Sequence, residues 1–253
     1  MSPQMSARSV LEASDIVAEL GHGAGKVRAL KGVSLSLGAG ELTLLMGPSG
    51  SGKTTLLSIL GCILTPTSGT LTVAGRPTAG LDPEALAALR RRHIGFVFQS
   101  YNLFPTLTAL ENVRLALDVR GESGRAASES ANAALAAVGL SHRLRSYPRN
   151  MSGGEQQRVA VARALAGSPS LILADEPTAA LDSENGQSVM ALIQQLARDP
   201  SRAVLAVTHD HRTLAFADRI ISIEDGLIVG DQRPSRDGGG HVPAQAGLSR
   251  EKA

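Results

Sequence analysis

Residues 41–60 read ELTLLMGPSGSGKTTLLSIL. ELTLLM (41–46) is a short apolar strand, and LLSIL (56–60) is the apolar start of a helix. Between them Gly47, Pro48, Ser49, Gly50, Ser51, Gly52, Lys53 and Thr54 fit G-x-x-x-x-G-K-[ST], the Walker A pattern of a phosphate loop. Glycines let the backbone turn so that successive N–H groups face phosphate oxygens. A helix beginning near Lys53 adds its positive N-terminal end. Lys53 supplies a point charge for β- and γ-phosphates, the Thr54 hydroxyl is placed to ligate Mg²⁺, and Thr55 completes the nucleotide-binding stretch. A flexible Gly/Ser turn could match by accident, but the strand before it and the helix after it supply the required context.

Working outward, partial period-two alternation predicts strands at 10–19 and 27–37, and further strands at 69–74 and 94–98. Pro83 in a first turn marks a helix over 83–92. Three helices are predicted at about 108–119, 125–138 and 153–166. Strands return at 171–175, 203–209 and 219–224, with a helix at 183–198. The order β–α–β with apolar strands predicts an open parallel α/β sheet. The strand-free block of roughly 100–168 is expected to be an inserted helical subdomain. The polar ends, 1–9 and 231–253, are expected to be mobile and disordered, leaving 10–230 as the folded domain.

LILADE (171–176) is an apolar strand ending in two acids. Asp175 at its carboxyl end is suited to reach Mg²⁺, and Glu176 to polarise an attacking water. Taken alone, the pair could be an acidic cap before Pro177; a phosphate loop in the same chain favours the first reading.

Composition narrows the remaining classes. The chain has 253 residues, 25 basic and 23 acidic side chains and a net charge of +2. That excess is too small to indicate nucleic acid, and with 2% aromatics there are few platforms for base stacking. Cys62 is the sole cysteine, so neither an internal disulfide nor a cysteine-held zinc site can form. Residues 1–10 lack the apolar core of a secretory signal. The charge-free run 54–75 is interrupted by Pro66, Ser68 and Gly69, and its solid apolar part is about half of what a membrane span needs.

Met151-Ser152-Gly153-Gly154-Glu155-Gln156-Gln157-Arg158 closely resembles the LSGGQ signature of ABC ATPases, with Met151 in place of Leu. The residues agree independently: Ser152 suits an N-cap, and two glycines expose helix-start amides as a second anion site. The resemblance covers about residues 10–230. It implies a P-loop NTPase core with a parallel sheet, an N-terminal antiparallel β subdomain and an inserted α-helical signature subdomain. It also implies a head-to-tail dimer enclosing two ATP molecules, in which Ser152, Gly153, Gly154 and Glu155 complete the partner's site. Gln99 matches the Q-loop glutamine that senses Mg²⁺ and the γ-phosphate, Asp182 the D-loop, and His209 the switch histidine that holds Glu176.

One departure concerns the base. The family stacks an aromatic ring on adenine where this chain has Leu20, and His22 is the nearby ring. Loose discrimination between ATP and GTP is therefore expected.

ELTLLMGPSGSGKTTLLSILGCILTPTSGTLTVAG and FQSYNLFPTLTALENV are most similar to the macrolide-efflux and lipoprotein-release branch. Its members work with a separate or fused membrane permease, often with a periplasmic adaptor. The resemblance implies an ATPase on the inner face of the cell membrane, attached through its partner, with no nucleic acid involved. Phe96 and Phe98 alternate along their strand and are expected in the core. Tyr101 and Phe104 lie in the following loop and are expected to grip the membrane partner. Two functions fit this sequence: a transport motor for export or lipid/lipoprotein extraction, and an ATP-gated regulatory or division module that signals by dimerising. A soluble P-loop kinase leaves SGGEQQ, Asp182 and His209 without a role.

Overall fold

The computed structural model describes residues 9–21 and 23–234. Most of both expected mobile ends, and His22, lie outside them. Ser9 opens the first strand, and Asp231 and Gln232 close the last, so the ordered core runs slightly past both expected limits.

Two sheets share the chain. The first is antiparallel, in the order β2-β1-β4-β5, from β1 (Ser9–Leu20), β2 (Val27–Gly38), β4 (Ser68–Val73) and β5 (Arg76–Pro77). The second has the order β10-β9-β3-β8-β7-β6. It contains β3 (Leu42–Met46), β6 (Ile94–Val97), β7 (Leu171–Asp175), β8 (Ala203–Val207), β9 (Arg219–Glu224) and β10 (Leu227–Gln232). Every pairing in it is parallel except β10 on β9. The central strands β3 and β8 are buried at every position, as a sheet covered on both faces requires.

Alternation along these strands divides the core. Leu44, Val204 and Ala206 face α3 (Ala109–Val119), α4 (Gly124–Ala137), α5 (Gly153–Leu165) and α6 (Ser183–Ala197). Leu45, Leu205 and Val207 face the opposite layer, which contains α1 (Lys53–Leu60), α2 (Pro83–His93) and the antiparallel sheet. Between β6 and β7 the chain forms α3, α4 and α5, joined by two short 3-10 turns. The helices start where local chemistry satisfies their free amides. Asp82 accepts from the Ala85 amide at 2.7 Å, with Pro83 following it. Thr108 and Glu111 form a reciprocal capping box on α3.

Strands β5 and β10 were not expected from sequence, nor were the short 3-10 stretches, of which His211–Phe216 is the longest. β5 is only two residues long and contains Pro77, tolerated because it lies at a sheet edge. β10 is an edge strand with mostly exposed side chains, so it carries no buried apolar pattern. Among the described residues no helix is long and apolar enough to cross a membrane.

Candidate functional site

The phosphate loop leaves the carboxyl end of β3, and α1 begins at Lys53. Gly52 has φ +99°, and a Cβ there would stand 2.7 Å from the Ala29 carbonyl oxygen on β2. Only glycine permits both that turn and that close approach. The first-turn amides of α1 have no partner within their own helix and are free to bind an anion. The Lys53 ammonium donates to the carbonyls of Gly47 at 2.8 Å and Pro48 at 2.7 Å, so it lies folded across the loop. Thr54 is exposed, and the Ser51 hydroxyl is buried without a hydrogen-bond partner.

The acids arrive from neighbouring strands. β8 lies between β3 and β7, with Leu45 opposite Val207 and Val207 opposite Asp175. Asp175 therefore ends β7 one strand away from the exit of β3. Burial and the adjacent Glu176 raise its pKa, while Lys53 opposes them. Glu176 has φ +47°, unusual for a residue with a Cβ and the more so before a proline. Its amide donates to the Val207 carbonyl at 3.0 Å, and its own carbonyl accepts from the Ala179 amide at 3.1 Å. His209, two residues beyond β8, brings Nδ1 to 2.8 Å from Glu176 Oε1. Just before it, the buried Thr208 donates its amide to the Leu45 carbonyl, fixing the turn against β3. Gln99 is exposed two residues beyond β6, whose Val97 pairs with Ala174 of β7. The 47–54 loop, Asp175, Glu176 and His209 thus gather at the carboxyl ends of neighbouring interior strands, the end of the sheet where open α/β folds bind ligands.

Ser152, Gly153, Gly154 and Glu155 stand elsewhere, at the start of α5. Ser152 Oγ accepts from the Glu155 amide, and Glu155 Oε2 accepts from the Ser152 amide. The Arg143 guanidinium also binds Glu155 at 2.8 Å. These bonds hold the Glu155 carboxyl below its usual range, the Ser152 amide contributing most. Asp182 caps α6 through the Asn185 amide and side chain. A Cβ on Gly154 would lie 2.5 Å from Asn185 Oδ1, so the starts of α5 and α6 meet closely at that glycine. No hydrogen bond among the described residues joins 152–155 to the 47–54 loop.

The aromatic residues divide differently from expectation. Phe96 packs against the core as expected, Phe98 does not, and the two partly buried rings stack on each other with centroids 5.7 Å apart. They line a groove with Val119, Arg91, Arg120 and Arg163. Phe104 is 50% exposed. Tyr101 turns inward: its hydroxyl donates to the Ala180 carbonyl at 3.4 Å and lies beside Gly153. Of the two loop aromatics expected to grip the membrane partner, Phe104 is thus the more exposed and Tyr101 the one with a contact in its own chain. Leu20 sits directly opposite Val27 at the end of the β1–β2 ladder next to the loop that joins the two strands, both exposed.

Sequence reasoning gave no role to Gln157, Arg163 or Asn185. Arg163 donates to the carbonyls of Tyr101 and Asn102, just after Gln99. Gln157 is fully buried and donates to the Pro177 carbonyl. Gln157 lies between Gln156 and Arg158 in a polar run, so nothing in the sequence sets it apart as the buried one.

Comparison with known proteins agrees with this geometry. Residues 30–179 match the family model described as ABC transporter. The macrolide export ATP-binding/permease protein MacB of Salmonella choleraesuis is 48% identical over 221 residues, 87% of this chain and 34% of its own length. MacB of Escherichia coli (strain K12) is 48% identical over 220 residues, with the same coverage. The chain thus spans about a third of the length of these curated relatives. Among solved structures, the dimeric post-hydrolysis ATP-binding cassette MJ0796 bound to ADP and Pi is 41% identical with a TM-score of 0.79. That match covers 88% of this chain and 98% of the cassette. Because the family match runs unbroken from β2 through the phosphate loop and the capped α5 to the Asp175–Glu176 turn, the chain belongs to the ABC transporter family and is one of its ATPase domains.

Proposed function

We propose that this domain hydrolyses ATP as the motor of a membrane transporter, with its chemistry at the carboxyl ends of β3, β7 and β8. The observation that carries the reading is the joint placement of the 47–54 loop, Asp175, Glu176 and His209 on adjoining strand ends. The amides of 47–55 and Lys53 bind the phosphates. Glu176 orients the water that attacks the γ-phosphorus, and His209 holds that carboxylate and reaches the γ-phosphate.

The donor set suits Mg²⁺. No three His, Cys, Asp or Glu side chains among the described residues form a cage for a metal, and Mg²⁺ commonly binds through one or two carboxylates plus substrate phosphates. The Asp175 carboxyl, raised by burial and by Glu176, sits where added positive charge is favourable. Thr54, Gln99 and Asp175 are the residues that would hold the ion, which neutralises charge developing on the phosphates.

The assembly we propose is a head-to-tail dimer in which Ser152, Gly153, Gly154 and Glu155 complete the partner's site and Asp182 lies at the junction. Support comes from the separation of that segment from the phosphate loop and from the dimeric cassettes among structural neighbours. The domain drives an integral membrane permease subunit, with a periplasmic adaptor, from the inner face of the cell membrane. MacB, whose name joins ATP binding and permease in macrolide export, supports this partner. The groove of Phe96, Phe98 and three arginines, with no acidic lining residue, is the proposed seat for the permease, and Phe104 is the exposed aromatic in the loop beyond it. We further propose 10–230 as the functional domain, with 100–168 as its signature subdomain.

Light scattering on Glu176→Gln tests the dimer. Mg-ATP is expected to convert monomer to dimer, and removing nucleotide to reverse it. A protein that binds ATP yet stays monomeric would count against a role for residues 152–155 in the partner's site.

The base is expected to be read weakly. Leu20 and Val27 offer aliphatic surface and no side-chain hydrogen bond, whereas strong discrimination needs polar groups that one base satisfies and the other leaves unpaired. ATP and GTP should therefore give kcat/KM values within about tenfold; a hundredfold preference for ATP would contradict this.

A further inference from the structure

Glu176 occupies a backbone conformation that its own residue type and the following proline both disfavour. Such a conformation persists only where surrounding contacts hold it. Two of the contacts are main chain: the Glu176 amide on Val207 and the Ala179 amide on the Glu176 carbonyl. The third is a side chain. Gln157 Nε2 donates to the Pro177 carbonyl at 2.8 Å, across 20 residues of sequence.

Gln157 is 0% exposed, and its Oε1 has no hydrogen-bond partner. A buried amide satisfied on only one side is unfavourable compared with an apolar residue. Its location explains what the donor does. Pro177 follows Glu176 directly and its ring fixes φ, so holding the Pro177–Thr178 peptide by its carbonyl restrains the turn one residue beyond Glu176. Gln157 also lies on α5, whose first turn is the Ser152–Glu155 capping box. One short helix therefore carries both the signature segment and a clamp on the loop of Glu176.

We propose that Gln157 is a positioning residue for hydrolysis: it holds the Pro177 carbonyl and thereby aims the Glu176 carboxylate, joining the signature helix to the chain's own catalytic turn. The proposal rests on the reading of Glu176 as the group that orients water. A role confined to packing would appear in thermal stability and leave turnover of the folded protein intact. A positioning role appears in kcat, with KM nearly unchanged, because nucleotide binding lies with the 47–55 loop.

The experiment is a double-mutant cycle on the full chain. Gln157→Met keeps the side-chain length and removes the donor; Gln157→Leu, also without the donor and suited to apolar surroundings, serves if the first variant fails to fold. Steady-state ATPase is measured for wild type, the Gln157 variant, Glu176→Gln and the double variant. The expected result is a fall of at least about tenfold in kcat for the Gln157 variant, with KM within about twofold. In the Glu176→Gln background the same change should lower turnover no further, since its effect passes through that carboxylate. Mg-ATP should still dimerise the double variant, showing that the signature segment remains formed. A folded Gln157 variant with wild-type kcat overturns the proposal, as does a loss that simply multiplies with that of Glu176→Gln. If Glu176→Gln alone retains full turnover, the reading of Glu176 fails instead, and the two failures are distinguished within one data set.

Discussion

Glu176→Gln should lower steady-state ATP turnover by about 10³-fold while leaving ATP affinity intact or slightly tightened. The size follows from what a positioned general base contributes, typically 10²–10⁴-fold. Glutamine keeps the length and shape of the side chain but cannot take a proton from water. The backbone supports of residue 176 come from Val207, Ala179 and, through Pro177, Gln157, and all survive the change. His209 Nδ1 retains an oxygen to meet at the position of Oε1. Binding should hold for an electrostatic reason. Glu176 is one of the causes that raise the Asp175 pKa, so removing its charge relieves repulsion of Asp175 and of the incoming phosphates. Single-turnover hydrolysis with fluorescent-nucleotide titration separates the two effects. Normal turnover would remove Glu176 from the catalytic role, and lost binding would make it a structural support of the nucleotide site.

What the sequence revealed about this site depended on whether a residue acts through a local pattern or across the fold. The phosphate loop was legible because its requirements are contiguous: an apolar strand, glycines that permit the turn, and a helix whose first residue is Lys53. Asp175 was legible for a similar reason, as an acid closing an apolar strand. The Ser152 cap was legible from a serine ahead of two glycines, and the capping box bears it out. β10 failed because an exposed edge strand has no buried face to impose alternation. Its turn did leave a signal. Asp225-Gly226 joins β9 to β10 with φ +46° and +75°, the conformation that makes Asp-Gly a hairpin sequence. Tyr101 has a setting that its sequence does not announce. Loop aromatics look available in sequence, but residues 101 and 102 both adopt positive φ, and the chain turns the ring toward Ala180 and Gly153. Gln157 and Asn185 act on residues 20 positions away or on a neighbouring helix start, and no spacing rule announces such contacts.

Lys53→Ala should weaken Mg-ATP binding about 100-fold, and turnover should be negligible at nucleotide concentrations that saturate the wild type. A hydrogen bond to a charged group is worth about 1.5–3 kcal/mol, which converts to about 10–150-fold in affinity; a lysine reaching two phosphates belongs at the upper end. Lys53 also opposes burial and Glu176 at Asp175, so without it the phosphates approach two carboxylates with less positive charge beside them. The folded chain should tolerate the change, because the ammonium donates to the Gly47 and Pro48 carbonyls at a half-exposed loop and holds no core element. Melting temperature without nucleotide should fall by only a few degrees, and the stabilisation normally gained on adding Mg-ATP should disappear. Lys53→Arg should not restore function, since a planar guanidinium cannot take the compact place of an ammonium among closely packed amides. Calorimetric titration with Mg-ATP decides the matter: near-wild-type affinity in Lys53→Ala would mean that the loop amides alone carry the phosphates.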